Sequence, residues 1–200
     1  MAHEASIPGI REFFAARADT WDSKYPDDSP RYAAAIAELG PLEGAFVLDA
    51  GCGTGRALSL LKAAVGKTGT VLGVDVTPEM LRRAAAHAAD ARVVLADCQR
   101  LPLPDATADV VFAAGLVNHL PDPAAGLREL ARVTRPGGRL VLFHAIGRAV
   151  LAARHNRALT PDDLRAEPNL RPLLAANGWH MNAYTDTDNR YLVIATKQGQ

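Results

Sequence analysis

An acid followed by three alternating glycines is the feature of this 200-residue chain best suited to holding a ligand. Asp49 ends an apolar run, Gly51, Gly53 and Gly55 follow it, and apolar residues at helical spacing resume at Ala57. Glycine lacks a Cβ, so its backbone can approach a ligand closely and adopt positive φ without strain. Such a turn at the carboxyl end of a first strand is where open α/β sheets bind nucleotide-like ligands.

The spacing of these glycines argues against two phosphate-binding motifs. A dinucleotide-binding turn reads G-x-G-x-x-G, whereas Arg56 stands here in place of the last glycine. A P-loop ending in residues 66–68 would need a glycine where the chain has Leu61. Asp49 would also repel a pyrophosphate and attract a cation. The turn therefore indicates a cationic ligand.

Several segments in matching order resemble the class I S-adenosylmethionine-dependent methyltransferases. They are residues 47–55, 73–75, 96–97, 118–123 and 135–140. The resemblance is strongest to the small-molecule branch, which includes the methyltransferases of quinone biosynthesis. It implies S-adenosyl-L-methionine as the cofactor. It also implies a Rossmann-like α/β fold, with a doubly wound seven-stranded sheet that is mostly parallel and ends in an antiparallel C-terminal hairpin.

Three carboxylates are predicted to contact this cofactor. Asp49 either receives the ammonium of the methionine part, directly or through water, or caps the turn by accepting backbone N–H groups. Asp75 lies 20 residues after Gly55, a spacing at which an acid binds two ribose hydroxyls. Its alternative role is to cap the helix that begins after Thr77. The resemblance places Asp97 at the adenine amino group, and the alternative for it is an exposed loop position.

The resemblance implies further cofactor contacts around these acids. They are the turn residues Gly51, Cys52, Gly53 and Gly55, the Cys98 N–H at an adenine nitrogen, and Ala114 beside the methyl donor. Val76, Met80 and Leu101 either sandwich the adenine or belong to the core. Trp21 and Tyr25 either close over the methionine part, where an aromatic face attracts the sulfonium, or pack a lid helix.

Two histidines are candidates for a catalytic base. His144 ends the fifth predicted strand, where resembling proteins bind their acceptor, and an unperturbed imidazole titrates near neutrality. The alternative is a hydrogen-bonded histidine at a strand end. His119 follows the fourth strand and either faces the substrate or fixes its loop. Five arginines are interpreted as solvated helix faces offset by acids, rather than as a site for an acidic substrate: Arg148, Arg154, Arg157, Arg165 and Arg171.

Strands and helices alternate along the chain, which predicts βαβ units and a parallel sheet. Strands are predicted near 45–49, 70–75, 92–96, 109–114 and 139–144, with a hairpin of strands near 179–185 and 190–196. Helices are predicted near 32–39, from Thr77, over 124–135, and from Thr160 to Asn177. We expect one domain over residues 1–200. Its parts are lid or packing helices (1–40), a cofactor-binding core (41–145), and a C-terminal helix and hairpin (146–200).

Composition narrows the class of protein. Basic and acidic residues both number 22, so no global field favours nucleic acid. The sequence shows no apolar run long enough for a signal peptide or a membrane span. The only cysteines, Cys52 and Cys98, do not have the spacing of a zinc or redox motif. The Asp-rich turn at 186–189 lacks the glycine and glutamate of a calcium-binding loop. No metal site is predicted. We expect a cytoplasmic bacterial protein that is a monomer or homodimer.

These features together predict a methyltransferase that moves a methyl group from S-adenosylmethionine to a small-molecule acceptor by in-line displacement. No nucleic-acid partner and no membrane span are expected. The alternative is a regulatory or scaffold protein that binds the same cofactor without transferring its methyl group. A third interpretation, a nicotinamide-dependent dehydrogenase, would require preferential binding of NAD.

Overall fold

A computed structural model describes residues 6–24, 27–88 and 90–199, so the predicted lid residue Tyr25 lies outside the described residues. The helices are α1 (Ile7–Ala15), α2 (Trp21–Lys24), α3 (Ser29–Ala37), α4 (Leu58–Val65), α5 (Pro78–His87), α6 (Pro123–Val133), α7 (Arg148–Arg154) and α8 (Glu167–Ala176), with 3-10 turns at Ala18–Thr20 and Val117–His119. The strands are β1 (Phe46–Ala50), β2 (Thr70–Asp75), β3 (Arg92–Leu95), β4 (Ala108–Ala114), β5 (Thr134–His144), β6 (Trp179–Thr187) and β7 (Arg190–Lys197).

The strands form one seven-stranded sheet in the order β3-β2-β1-β4-β5-β7-β6. The first five strands are parallel to one another, and β7 runs antiparallel to both β5 and β6. The fold class predicted from the sequence is therefore confirmed. Strand order reverses between β1 and β4, and open α/β sheets bind ligands in the crevice at such a switch point.

Helices cover the sheet on both faces. On one face, α3, α4 and α5 bury Ile36, Leu61 and Ala84 against the strands. On the other face, α6 and α8 bury Leu127 and Leu170. Each large side chain buried in this way stabilises the fold by about 1.5–3 kcal/mol. Coverage on both sides explains why the central strands are almost continuously apolar.

The fifth strand is longer than predicted, and the helix before it is shorter. The helix ends at Val133, because Thr134 already pairs with Ala108 of β4. The register then shifts before Val110 pairs with Arg139. An irregularity of this kind absorbs extra residues within a strand, so the proline and glycines between these positions do not separate helix from strand as predicted.

The C-terminal helix begins at α8 rather than at Thr160. The Asp163 N–H donates to the Thr160 carbonyl at 3.1 Å, and the Asp163 carboxylate accepts from the Arg165 N–H at 2.9 Å. Both bonds close turns in place of a first helical turn. Pro161 follows Thr160 but begins no helix. Another proline, Pro168, lies in the first turn of α8, where its fixed φ suits a helix start.

Smaller differences concern the other ends of elements. Helix α3 begins at Ser29 rather than at Tyr32, with a proline in its first turn. Helix α7 was not predicted. The hairpin turn is shorter than 186–189, because Thr187 still pairs with Arg190. No helix in the described parts of the chain combines the length and the apolar character needed to cross a membrane.

Candidate functional site

The three glycines after β1 all take positive φ, at +70° for Gly51, +54° for Gly53 and +87° for Gly55. A Cβ on Gly51 would lie 2.9 Å from a methyl carbon of Leu116, and one on Gly55 would lie 3.0 Å from the Cα of Ala84. A Cβ on Gly53 would meet no atom within 4 Å. The outer glycines therefore permit close packing, and the middle one presents bare backbone to open space.

Asp49, in the strand leading into this turn, carries a carboxylate oxygen without a partner. The residue is 1% exposed, and no described group forms a hydrogen bond with its buried Oδ2. Burial, and then the charge of Asp75, raise the pKa of Asp49 to about 8. A buried carboxylate is stabilised by a cation that also donates a hydrogen bond. The site therefore fits a ligand with an ammonium group, and Oδ2 takes no part in capping the turn.

Asp75 joins β2 to both the glycine turn and the start of α5. Its Oδ2 accepts from the Gly53 N–H at 2.9 Å, and its Oδ1 accepts from the Thr77 N–H at 2.8 Å. Burial raises its pKa, and these bonds oppose the rise. Thr77 occupies the N-cap position as predicted, but its hydroxyl makes no capping bond and is buried without a partner. Asp75 therefore does the capping, and each of its oxygens keeps a lone pair for a ribose hydroxyl.

Asp97 and Cys98 lie in the loop after β3. Asp97 is half-buried rather than exposed, and its Oδ1 accepts from the Gln99 N–H at 2.8 Å. Cys98 is 5% exposed, and burial raises the pKa of its thiol. Burial likewise raises the pKa of the Cys52 thiol. The Ala96 N–H, just before Asp97, donates to the Asp75 carbonyl at 3.0 Å, and β1 pairs with β2, so all three predicted acids lie at one edge of the sheet.

The predicted adenine-sandwiching residues differ in burial. Met80 is 1% and Leu101 is 5% exposed, which matches the alternative that both belong to the core. Val76 is only half-buried, and its carbonyl accepts a hydrogen bond from Arg11 Nε at 2.8 Å. Of these three side chains, only that of Val76 therefore keeps exposed surface that a ligand could contact.

The loop after β4 completes the crevice. Ala114 is half-buried at the carboxyl end of β4. Gly115 has φ +70°, and its N–H donates to the Phe143 carbonyl of β5 at 2.9 Å. The Leu116 side chain contacts the backbone of Gly51 closely enough to exclude a Cβ there. These contacts bring Ala114 beside the glycine turn, across the switch point of the sheet.

Comparison with known proteins identifies this arrangement. Residues 48–142 match a family model described as a methyltransferase domain. The 27-O-demethylrifamycin SV methyltransferase of Amycolatopsis mediterranei is 36% identical over 132 residues, which cover 61% of this chain and 48% of that protein. The demethylmenaquinone methyltransferase of Staphylococcus aureus is 35% identical over 109 residues, covering 53% of this chain and 45% of that protein.

A solved structure agrees with both. A SAM dependent methyltransferase from Aquifex aeolicus matches with a TM-score of 0.70 and 26% identity, over 83% of this chain and 89% of that chain. Residues 48–142 of the chain therefore match the methyltransferase domain of S-adenosylmethionine-dependent methyltransferases. The resemblance and the cofactor predicted from the motifs are thereby confirmed. The chain spans less than half the length of the two curated relatives described above.

The N-terminal segment of the chain is joined to the glycine turn by contacts absent from the sequence prediction. The Thr54 hydroxyl donates to Asp22 Oδ1 at 2.8 Å, and Arg56 Nε lies 3.2 Å from the same oxygen. Arg83 of α5 donates to the Asp19 carbonyl at 2.9 Å. Arg56, which replaces the last glycine of a dinucleotide motif, therefore joins the glycine turn to the N-terminal helices. No local pattern connects residues that stand more than 30 positions apart.

Two predicted site residues meet through a third that was not predicted. The ring of Phe14 on α1 lies 5.5 Å from Trp21 and 5.0 Å from His119, both edge-on. Phe13 packs on Phe14 at 5.1 Å. Trp21 is thus packed within the N-terminal helices, and His119 contacts a ring of α1, which favours its role of fixing the loop. The two adjacent phenylalanines, Phe13 and Phe14, were the signal available in the sequence.

His144 lies at the end of β5 as predicted, and its surroundings shift its pKa. Its Nδ1 is 3.2 Å from the Ile146 nitrogen and 3.1 Å from the Ile146 oxygen. Burial is the main cause that lowers the pKa of His144 to about 4. The pKa of an unperturbed imidazole therefore does not apply to His144, because a half-buried imidazole loses the hydration that stabilises its charged form.

Three of the five predicted arginines are held in ion pairs. Arg148 lies 2.8 Å from an oxygen of Asp186 and 3.3 Å from one of Asp163. Arg165 also contacts Asp163, and Arg171 contacts Glu167 on the same helix. These contacts support the interpretation that acids offset the arginines. Within the described residues, no group of three histidines, cysteines or acids is arranged to hold a metal ion.

Proposed function

We propose that this methyltransferase acts on a small-molecule acceptor. Two relatives are named for methylating 27-O-demethylrifamycin SV and demethylmenaquinone, which are small molecules. These names support the acceptor class for a chain of the same family. They do not select an acceptor atom, and the crevice at the ends of β4 and β5 is the place we propose for it.

The observation that carries the proposed cofactor binding is the unpartnered Asp49 oxygen in the strand that leads into the glycine turn, where Gly53 has open space beside its backbone. We propose that Asp49 receives the ammonium of S-adenosylmethionine, that Asp75 receives the ribose hydroxyls, and that Asp97 with the Cys98 N–H receives the adenine. Gly51, Cys52, Gly53 and Gly55 supply backbone surface, and Ala114 borders the methyl donor. When bound, the cofactor supplies a methyl group activated by a sulfonium, which a nucleophile in line with the C–S bond displaces.

The residues of this chain then contribute alignment and exclusion of water. Asp22 fixes the lid to Thr54 and Arg56, and the rings around Phe14 form an apolar cluster linking the lid to the loop after β4. Holding two reactants in line contributes up to ~7–11 kcal/mol to lowering a barrier. His144 is uncharged at pH 7, but a pKa of about 4 makes it a weak base. We therefore propose that alignment, rather than proton removal by His144 or His119, supplies most of the rate.

Two measurements test this function. Calorimetry should show binding of S-adenosylmethionine and S-adenosylhomocysteine, and weak or no binding of NAD. Labelled donor incubated with a panel of phenols, amines and carbon acids should then label at least one class. Tight binding without transfer to any class would favour a regulatory or scaffold protein. Preferential binding of NAD would overturn the assignment, and Asp49→Asn serves as the binding-deficient control.

We further propose that residues 41–145 and 146–200 form one domain, to which the helices within residues 1–40 attach. Pairing of β5 with β7 in one sheet supports this, as do the contacts of Asp22 with the turn. A cytoplasmic location in a bacterium and a monomeric or homodimeric state belong to the same proposal. Light scattering after size-exclusion chromatography tests the last of these.

A further inference from the structure

Tyr32 lies next to the unpartnered acid of the cofactor crevice, although the sequence indicated only that it begins a helix. In the sheet, Asp49 of β1 stands directly opposite Phe112 of β4. The Tyr32 ring packs edge-on against Phe143 at 4.8 Å and is tilted over Phe112 at 6.2 Å. Side chains alternate between the faces of a strand. Val47 and Phe112 lie in the same core cluster, so Asp49 points to the face that Tyr32 covers.

The charges around the phenol agree with this placement. Burial raises the pKa of Tyr32 well above its usual range, the charges of Asp49 and Asp28 add to the rise, and Arg56 opposes it. The hydroxyl therefore lies within electrostatic reach of the Asp49 carboxylate. The two groups do not bond to each other through Asp49 Oδ2, because that oxygen has no partner.

The start of α3 is held firmly in this position. Arg31, next to Tyr32, donates from Nη1 to the Ala145 carbonyl after β5 at 2.7 Å. Asp28, just before the helix, lies 3.6 Å from Arg56 of the glycine turn. Contacts on two sides thus fix the phenol between the end of β5 and the turn after β1. A group fixed before binding loses little freedom when a ligand arrives.

We propose that the Tyr32 hydroxyl is a second acceptor for the α-ammonium of the cofactor, beside Asp49 Oδ2. An ammonium has three N–H donors, so one carboxylate oxygen does not satisfy it. Asp49 supplies the charge, and the phenol oxygen supplies a second, neutral acceptor. This inference rests on the proposed binding of the methionine end at Asp49, and it adds a binding residue that the motifs do not contain.

Tyr32→Phe tests the inference because it removes one oxygen and keeps the ring on its two phenylalanine neighbours. Two ligands are titrated by calorimetry: S-adenosylhomocysteine, which has the ammonium, and 5′-methylthioadenosine, which lacks the amino-acid part. We expect the variant to bind S-adenosylhomocysteine roughly 10-fold or more weakly, as for the loss of a hydrogen bond to a charged group. Binding of 5′-methylthioadenosine should be unchanged.

Two further variants separate the possible outcomes. Tyr191→Phe is the matched control, because that hydroxyl donates to the Arg165 carbonyl away from the turn, and it should leave both affinities unchanged. In Asp49→Asn, adding Tyr32→Phe should weaken binding less than it does in the wild type, because both residues serve one ammonium. Equal affinity of wild type and Tyr32→Phe for S-adenosylhomocysteine, or equal weakening for both ligands, would overturn the role of Tyr32. Failure of the wild type to bind either ligand would instead refute the proposed function.

Discussion

Asp49 should couple cofactor binding to the release of a proton. Its pKa of about 8 means that the carboxyl is mostly neutral at pH 7 in the free protein. An ammonium ligand binds the ionised form, so affinity should follow the ionised fraction. That fraction rises roughly 30-fold between pH 5.5 and pH 7, because the pKa lies above this window. Below pH 7 the ligand's own α-amino group stays protonated. The change of affinity with pH in this range therefore comes from the protein alone.

Calorimetry of S-adenosylhomocysteine in buffers of different ionisation enthalpy measures both the affinity and the number of protons released on binding. We expect close to one proton released per ligand at pH 6, and an affinity that increases with pH. Asp49→Asn should bind more weakly and show no such slope. An affinity independent of pH, or full affinity in the asparagine variant, would refute the idea that Asp49 receives the ammonium.

The same pKa predicts how the free protein's stability depends on pH. The folded-state pKa lies above the ordinary value of 3.8, so the folded protein keeps a proton that the unfolded chain loses between about pH 4 and pH 8. The free energy of unfolding should therefore fall as pH rises through this window. The decrease is at most ~5 kcal/mol for a shift of this size. Asp49→Asn should be more stable than the wild type at pH 8 in urea unfolding, and equal stability would contradict the buried, unpartnered state of the carboxyl.

Three other residues give independent predictions. Asp75→Ala should weaken S-adenosylhomocysteine binding roughly 10- to 150-fold through the loss of hydrogen bonds to an ionised group, and unchanged affinity in calorimetry would remove it from the site. Asp22→Asn should speed S-adenosylhomocysteine dissociation by up to ~5-fold, the range for a partly exposed ion pair. Stopped-flow fluorescence of the adjacent Trp21 measures that rate, and an unaltered rate would contradict a lid anchored by Asp22. His144→Gln should lose less stability than the wild type between pH 6.5 and pH 4, because a lowered histidine pKa costs the folded state up to ~3 kcal/mol as pH falls through that window. If urea unfolding shows the same loss of stability for both proteins between these pH values, His144 is exposed to solvent.

The parts of the fold that follow from local pattern were predictable. Apolar runs of strand length and amphipathic helical stretches depend on neighbouring residues, so the alternation of strands and helices could be inferred without a structure. The glycine turn was equally clear, because three positive φ values favour three residues without a Cβ. This turn, together with the segments at 73–75, 96–97, 118–123 and 135–140, led to the family and its cofactor.

Competing local signals limited how accurately the ends of helices and strands could be predicted. Two prolines, Pro161 and Pro168, each suit the start of a helix, and only the second begins one. The Asp163 side chain decides between them by closing a turn with Arg165 and pairing with Arg148. That choice depends on residues that the fold brings together, so the sequence pattern does not contain it.

The charge states and the lid contacts depend on distant residues in the same way. For His144 the sequence gives only the residue type, whereas burial at the end of β5 lowers its pKa. The Asp22 contacts with Thr54 and Arg56 join segments more than 30 positions apart. The Tyr32 phenol comes next to Asp49 only because β1 and β4 are neighbours in the sheet.

The placement of Asp49 itself argues that this edge of the sheet exists to bind a cation. An acid at 1% exposure with an unpartnered oxygen destabilises the free protein, whereas a neutral side chain of similar size at the same place would not. Its neighbours do not relieve this cost, since Asp75 adds a second negative charge and raises the pKa further. Local inconsistencies of this kind are expected at functional sites, where a ligand supplies the missing interaction. A positively charged methionine end supplies both the charge and the N–H donors that Asp49 lacks, which a pyrophosphate would not.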